Sequence, residues 1–205
     1  MENILLEAKK HVIHLLNEEL DSAFVYHNLS HTQQVVTKSK ELAEVSDLSE
    51  NEKVLLELAA WFHDTGFTKG IEAHEKESSK IASSFLKEHN CTEDTIQSVI
   101  ALIMATEMNH QPINIFEKII RDADSAHIGG KNCTDICELL RKEWELTCDK
   151  TLSESEWLDE NINWLTNKHR FYSDVASAKW DKGKGKNLSK LLKEQKKFNQ
   201  DVAKL

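Results

Sequence analysis

The sequence predicts an all-α protein, an orthogonal multi-helix bundle. Three observations carry this. Apolar residues recur at three- and four-residue intervals in one segment after another, the period of a helix with one buried face. No stretch alternates apolar and polar residues over the length of a strand. One proline and six glycines in 205 residues leave little of the turn chemistry that an all-β fold needs.

The elements follow in order. A first helix falls within residues 2–20, with Ile4, Leu5, Ala8, Val12, Leu15 and Leu16 on one side. In the next stretch, Phe24 to His31, Asn28 or Ser30 can cap a second helix. That helix holds His31 in its first turn and carries Val35, Val36, Leu42 and Val45. Ser49 and Glu52 fit a capping box, which opens a third helix through Val54, Leu55, Leu58, Ala59 and Phe62. His63 and Asp64 fall in its last turn, and Gly66 is expected to stop it in the left-handed conformation. A fourth helix begins at His74 and carries Ile81, Ala82, Phe85 and Leu86. Thr92 caps a fifth, with Ile96, Val99, Ile100, Ile103 and Met104, and Pro112 punctuates the loop beyond it. A sixth, with Phe116, Ile119, Ile120 and Ala123, contains Asp122, Asp124 and His127 and is closed by Gly129 and Gly130. Two more follow near 133–146 and 154–167, the latter opened by a capping box of Ser153 and Glu156.

Residues 1–170 therefore read as one helical domain. Residues 171–205 read as a lysine-rich segment and a C-terminal helix, packed on that domain or extending from it. Gly183 and Gly185 are expected to break the lysine run before a helix with Leu188, Leu191, Leu192 and Phe198. Lys179, Lys182, Lys184, Lys186 and Lys190 suit either a phosphate-contacting arm or a solvated linker.

With a net charge of −9, non-specific binding to a nucleic acid polymer is not expected of the chain. No apolar run approaches membrane-spanning length, and the N-terminus lacks a signal-peptide pattern, so the expectation is a cytoplasmic protein without a membrane partner. The four cysteines, Cys91, Cys133, Cys137 and Cys148, have no paired zinc spacing and read as reduced, mostly buried thiols. Nothing in the pattern sets an oligomeric state.

The chemistry concentrates at helix ends, in His31, His63, Asp64 and Asp124. These side chains bind divalent transition metals through nitrogen or oxygen. A carboxylate in a buried helix end is costly unless it is paired or bound to a metal. On the His63–Asp64 dipeptide alone, a helix-end histidine beside a solvated aspartate is the simpler reading. A helix bundle can, however, aim such groups at one centre.

The order of His31, then His63–Asp64, then Arg121–Asp122–Ala123–Asp124 resembles the HD-domain superfamily of metal-dependent phosphohydrolases. Tyr26 to His31 looks like that family's first-histidine helix. Trp61–Phe62–His63–Asp64 looks like its namesake motif, and Asp122–Ala123–Asp124 before Gly129 like its final aspartate helix. The resemblance runs from about residue 20 to about residue 130, and more weakly to Phe171–Tyr172 and Asn187–Leu188. It implies His31, His63, Asp64 and Asp124 as ligands of a divalent transition metal: Mn, Fe, Co, Ni or Zn. Asp122 is the rival for the last place. Two residues apart on a helix, the aspartates point to different sides. Asp124 is preferred because it follows a small residue, as the family's aspartate does, and shares a face with Ile120 and His127.

The implied reaction is hydrolysis of a nucleotide or another small phosphate ester through a metal-activated water. Asp64 would also accept the water proton. His27, one turn before His31, would meet the substrate or support a ligand. His74, His110 and Asp122 are candidates for a second metal or for substrate. Lys69, Lys80, Arg121 and Lys184 are candidates for the phosphate. Glu75 and Glu77 suit either a ligand-orienting role or a helix start. His11, His14, His89 and His169 have no such placement. Two other classes fit the same residues. One is a di-iron HD-type oxygenase with His74 and His110 as further ligands. The other is a non-catalytic nucleotide-binding module. There is no P-loop and no dinucleotide fingerprint.

Overall fold

Capping chemistry sets most of the helix starts. In the computed structural model, which describes residues 2–148 and 150–202, Asn28 accepts hydrogen bonds from the amides of Ser30 and His31. It thereby starts α2 (Leu29–Glu44) behind α1 (Glu2–Glu19). The Ser49/Glu52 box starts α3 (Glu50–Phe62), Thr92 starts α5 (Glu93–Met104) and Asn114 starts α6 (Ile115–Asp124). The second box, Ser153/Glu156, starts α8 (Glu154–Asn163). Helices α4 (His74–Glu88) and α7 (Cys133–Thr147) begin without a side-chain cap of this kind, whereas Ser173 Oγ accepts from the Ala176 amide at 3.3 Å at the start of α9 (Asp174–Val202). No strand occurs among the described residues, and the all-α expectation holds. Met1, Asp149 and residues 203–205 of the two expected segments lie outside the described residues.

Helices α2, α3 and α6 form the centre. α2 packs on α3 and α6, α5 backs α3, α4 lies on α5, and α1 covers the other side of α3. Their shared core includes Leu42, Leu56, Phe62, Ile103 and Ile120, all with essentially no exposed surface. The ends of α2, α3 and α6 that carry His31, His63 and Asp124 meet over this core.

Several local expectations change. Gly66 is not a left-handed stop, since α3 ends at Phe62 and Gly66 lies in a 3-10 turn, Thr65–Lys69, without a positive φ. A Cβ on Gly66 would sit 1.9 Å from the His74 carbonyl oxygen, so glycine is needed for close approach of α4. Helix α6 ends at Asp124, and His127 belongs to a separate 3-10 turn, Ala126–Gly129. Of the cysteines only Cys133 is buried; Cys91 and Cys137 are half-buried and Cys148 is exposed.

The largest correction concerns the lysine-rich segment. Gly183 and Gly185 do not break it, because α9 is continuous from Asp174 to Val202. Gly183 faces the chain: a Cβ there would lie 2.0 Å from the Gly129 carbonyl oxygen. The glycine lets α9 press onto the Ala126–Gly129 turn, where Asn187 Nδ2 donates to the carbonyls of Ile128 and Gly130, both at 2.8 Å. Ala176 and Trp180 are buried in the same contact. Tertiary packing here outweighs the low helix propensity of two glycines, about 1 kcal/mol each.

The two glycines therefore respond oppositely to the same change. Gly183→Ala is expected to cost about 1–3 kcal/mol by overpacking against backbone. Gly185→Ala, with nothing within 4 Å of the new methyl, is expected to gain about 0.4–1 kcal/mol. Urea unfolding of both variants checks this.

Candidate metal centre

His63 ends α3 with its side chain fully buried, and its Nδ1 donates to the Ala60 carbonyl at 2.9 Å. A carbonyl only accepts, so Nδ1 carries the proton and, in the neutral ring, Nε2 is a lone pair. That Nε2 lies 3.1 Å from Asp64 Oδ2, and His31 Nε2 lies 3.3 Å from the same oxygen. From the end of α6, Asp124 Oδ1 approaches His31 Nε2 at 3.0 Å and His63 Nε2 at 3.8 Å. His31, His63 and Asp124 each bring one ligand atom within 4.8 Å of the others. Asp64 stands outside that tightest trio but against both imidazoles.

Three of these atoms, His31 Nε2, His63 Nε2 and Asp64 Oδ2, are buried and make no hydrogen bond. Orphaned polar atoms in a dry site are costly, and three aimed at one point call for a shared cation. The electrostatics agree. Burial works against a charged His31, yet Asp124 and Asp64 outweigh it and push its pKa up to about 10. Burial likewise opposes charge on His63, whose pKa nevertheless rises beside Asp64. Burial alone would raise the Asp64 pKa, but His63 and His31 hold it well below the usual carboxylate range. A point that holds protons this strongly favours any positive charge. Two imidazoles and two carboxylates suit a divalent first-row ion.

The same residues coincide with a family signature. Residues 28–129 match the family model of the HD domain. The chain belongs to the HD-domain superfamily. HD domains are largely metal-dependent phosphohydrolases, and the cluster that could hold a metal in this one lies inside the matched segment. No curated protein and no solved structure gives a significant match. Among the described residues of this HD protein no helix is long and apolar enough to cross a membrane.

The other candidate residues divide. Asp122 is fully buried and turned away from the trio. Its carboxylate accepts from the amides of Tyr172 and Ser173 at 2.7 and 2.8 Å and from Ser173 Oγ at 2.6 Å. It ties α6 to the start of α9. His74 comes within 3.9 Å of Asp64 Oδ1 and 3.4 Å of Glu75. His110 does not join it, because its Nε2 is engaged by Glu117 at 2.8 Å. Lys69 pairs with Glu19, Lys80 with Glu77, and the Lys184 ammonium donates to the His169 carbonyl at 2.6 Å. Arg121 does line the cleft of about 210 Å³ that opens on Asp64, His74 and Asp124. Its guanidinium donates to the carbonyls of Ala105, Glu107 and Met108, so it brings charge while holding the loop after α5.

Several further residues of this HD protein reach the site without a motif to mark them. Glu143 of α7 is buried. It accepts from the amides of Tyr26 and His27 at 2.7 and 2.9 Å, and from His27 Nδ1. His27, which lines the cleft, is therefore held from a helix more than a hundred residues away. Lys168 and Arg170 join the cleft wall. So does His169, kept neutral at neutral pH by burial and by Lys184, with a pKa pushed down to about 3.

Two outcomes are expected. Asp124→Asn should lose most bound metal, whereas Asp122→Asn should keep the metal and lower the unfolding temperature; elemental analysis and thermal melts separate them. Because His31 is protonated at pH 7 before the cation arrives, metal binding should release about one proton from it. Calorimetric titration in two buffers of different ionisation enthalpy measures that release.

Proposed function

We propose that the protein is a metal-dependent phosphohydrolase acting on small phosphate esters. The observation that carries this reading is the meeting of three unpartnered buried ligand atoms with a cleft walled in part by Arg121, Lys168 and Arg170. His31, His63, Asp64 and Asp124 would hold the ion. When bound, a divalent ion there supplies Lewis-acid chemistry, activating water and offsetting charge on a phosphoryl oxygen.

The chain's own residues do the rest. Lys168 and Arg170 make no ion pair among the described residues, which leaves them to meet a phosphate. Arg121 adds positive charge behind them, over the Tyr172 ring at 5.4 Å. Glu143 accepts the His27 Nδ1 proton, which sets the tautomer so that Nε2 is the working nitrogen. As the imidazolium, its charge offset by Glu143 at Nδ1, His27 gives its Nε2 proton to the departing alkoxide from the cleft wall. Asp64 Oδ1, on the His74 side, accepts the proton of the attacking water. Phe67 stacks between the His27 and His74 rings, at 4.3 and 4.0 Å, and keeps both from turning. The oxygenase reading calls for both His74 and His110 at the centre. The engagement of His110 by Glu117 supports the hydrolase instead.

The test is a panel of phosphate esters with the protein reloaded with Mn, Fe, Co, Ni or Zn. Turnover is expected with at least one ion and is expected to vanish in Asp64→Ala, which should also lose the ion. Full occupancy without hydrolysis, accompanied by oxygen uptake, would overturn the reading. His27→Ala should keep the metal and lower kcat by about 10²–10⁴-fold. Replacing Lys168 and Arg170 together should raise KM more than it lowers kcat, and the effect should shrink with salt.

A further inference from the structure

Next to the polar cleft lies a second space, a cavity of about 360 Å³. The two share His27, His74, Asp124 and Trp164 in their walls, so both open on the metal centre. Their linings differ in kind. The cavity is walled on one side by Leu140 and Trp144 of α7, by Trp157 of α8 and by Trp164. Opposite stand Phe24, Tyr26 and Phe67. Trp144 and Trp157 meet edge to face, 5.6 Å between ring centres, which fixes both rings. Trp157 Nε1 donates to Glu138 Oε1 at 2.6 Å, so the indole's one polar atom is already satisfied.

Three of the polar groups in this wall are likewise engaged within the protein, and Glu160 stands at its exposed rim. Glu143 holds His27 and two amides, Thr147 Oγ1 donates to the Glu143 carbonyl at 2.7 Å, and Asn161 Nδ2 donates to the Trp157 carbonyl at 2.7 Å. A site meant to read the edge of a nucleobase needs open donors and acceptors, and Glu143, Thr147 and the Asn161 amide nitrogen are spent within the protein. The inner wall is mainly shape and aromatic carbon. The volume falls at the lower end of the roughly 300–1,000 Å³ typical of small-molecule sites. All three tryptophans lie beyond the segment that matches the HD-domain family, so this wall is built by the chain's own additional helices.

We propose that the cavity between α7, α8 and the Phe24–Phe67 side binds a flat, apolar aromatic group of the ligand, carried on the same molecule whose phosphate lies at the metal centre. The proposal rests on the phosphohydrolase reading for the phosphate and on the cavity alone for the ring. It makes Trp144 and Leu140 determinants of specificity. Nucleotides would be poor substrates, and esters of aryl-bearing alcohols good ones.

The experiment compares 2-(1-naphthyl)ethyl phosphate with ethyl phosphate, two esters of primary alcohols, on the metal-loaded full chain. The naphthyl ester is expected to have a kcat/KM higher by about 10-fold or more. That advantage should collapse in Leu140→Trp, which fills the cavity, and in Trp144→Ala, which removes a wall. Calorimetric titration with 2-(1-naphthyl)ethanol gives a readout that needs no turnover. The alcohol should bind the unmodified protein and fail to bind Leu140→Trp. Equal kcat/KM for the two esters, or an advantage retained in both variants, would overturn the proposal. Hydrolysis of neither ester, with the alcohol still binding and still blocked by Leu140→Trp, would support the cavity and sink the phosphohydrolase reading.

Discussion

Everything in the molecule answers to one electrostatic problem, the burial of the Asp64 carboxylate between two imidazoles. An ionised carboxylate in a helical core is costly by several kcal/mol unless positive charge stands beside it. His63 supplies that charge only by taking a second proton at Nε2, since its Nδ1 proton is committed to the Ala60 carbonyl; burial opposes that proton and Asp64 favours it. Asp124 adds a second negative group beside the same rings. The packing of α2, α3 and α6 holds these groups in place by burying residues such as Phe62 and Ile120 beneath them. A divalent cation would satisfy all four at once, and His31, His63 and Asp124 lie close enough together to hold one.

Two braces outside the central helices keep that arrangement in register. Asp122 ties α6 to the start of α9, and Asn187 and Gly183 press α9 onto the turn that follows Asp124. The C-terminal helix therefore acts on the end of α6 that carries the carboxylate. Glu143 does the corresponding work on the other side, where it fixes the backbone of Tyr26 and His27 just ahead of α2. Each brace uses charge-assisted or paired hydrogen bonds in a buried setting, where their loss is most costly.

The centre has two unlike neighbours. On one side Arg121, Lys168 and Arg170 give a positive wall; on the other, tryptophans and phenylalanines give an apolar one. His27 stands in both walls, stacked on Phe67 and held by Glu143. This division suits a ligand that is itself divided, with a phosphate at one end and a ring at the other. It also explains why the overall negative charge of the chain says little about the site: the field that matters is local.

The sequence alone determined the helical class and most of the caps, and its resemblance to the HD-domain superfamily pointed to His31, His63, Asp64 and Asp124. The class and the caps are written in short-range chemistry: a three-and-four apolar period, and Asn28, Ser49, Thr92 and Ser153 ahead of their helices. That Asp122 and Asp124 point to different sides was legible too, since two residues on a helix turn a side chain to another face. What only the tertiary structure decided is pairing across long distances. Lys69 and Lys184 looked like phosphate ligands until Glu19 and the His169 carbonyl claimed them. His110 looked like a metal ligand until Glu117 did the same. Gly183 read as a helix breaker because propensity is local, whereas its contact with Gly129 is not. Glu143 and the three tryptophans carried no motif, because a side chain's role in a site depends on where its helix docks, and docking is set by the whole core rather than by neighbours in the chain.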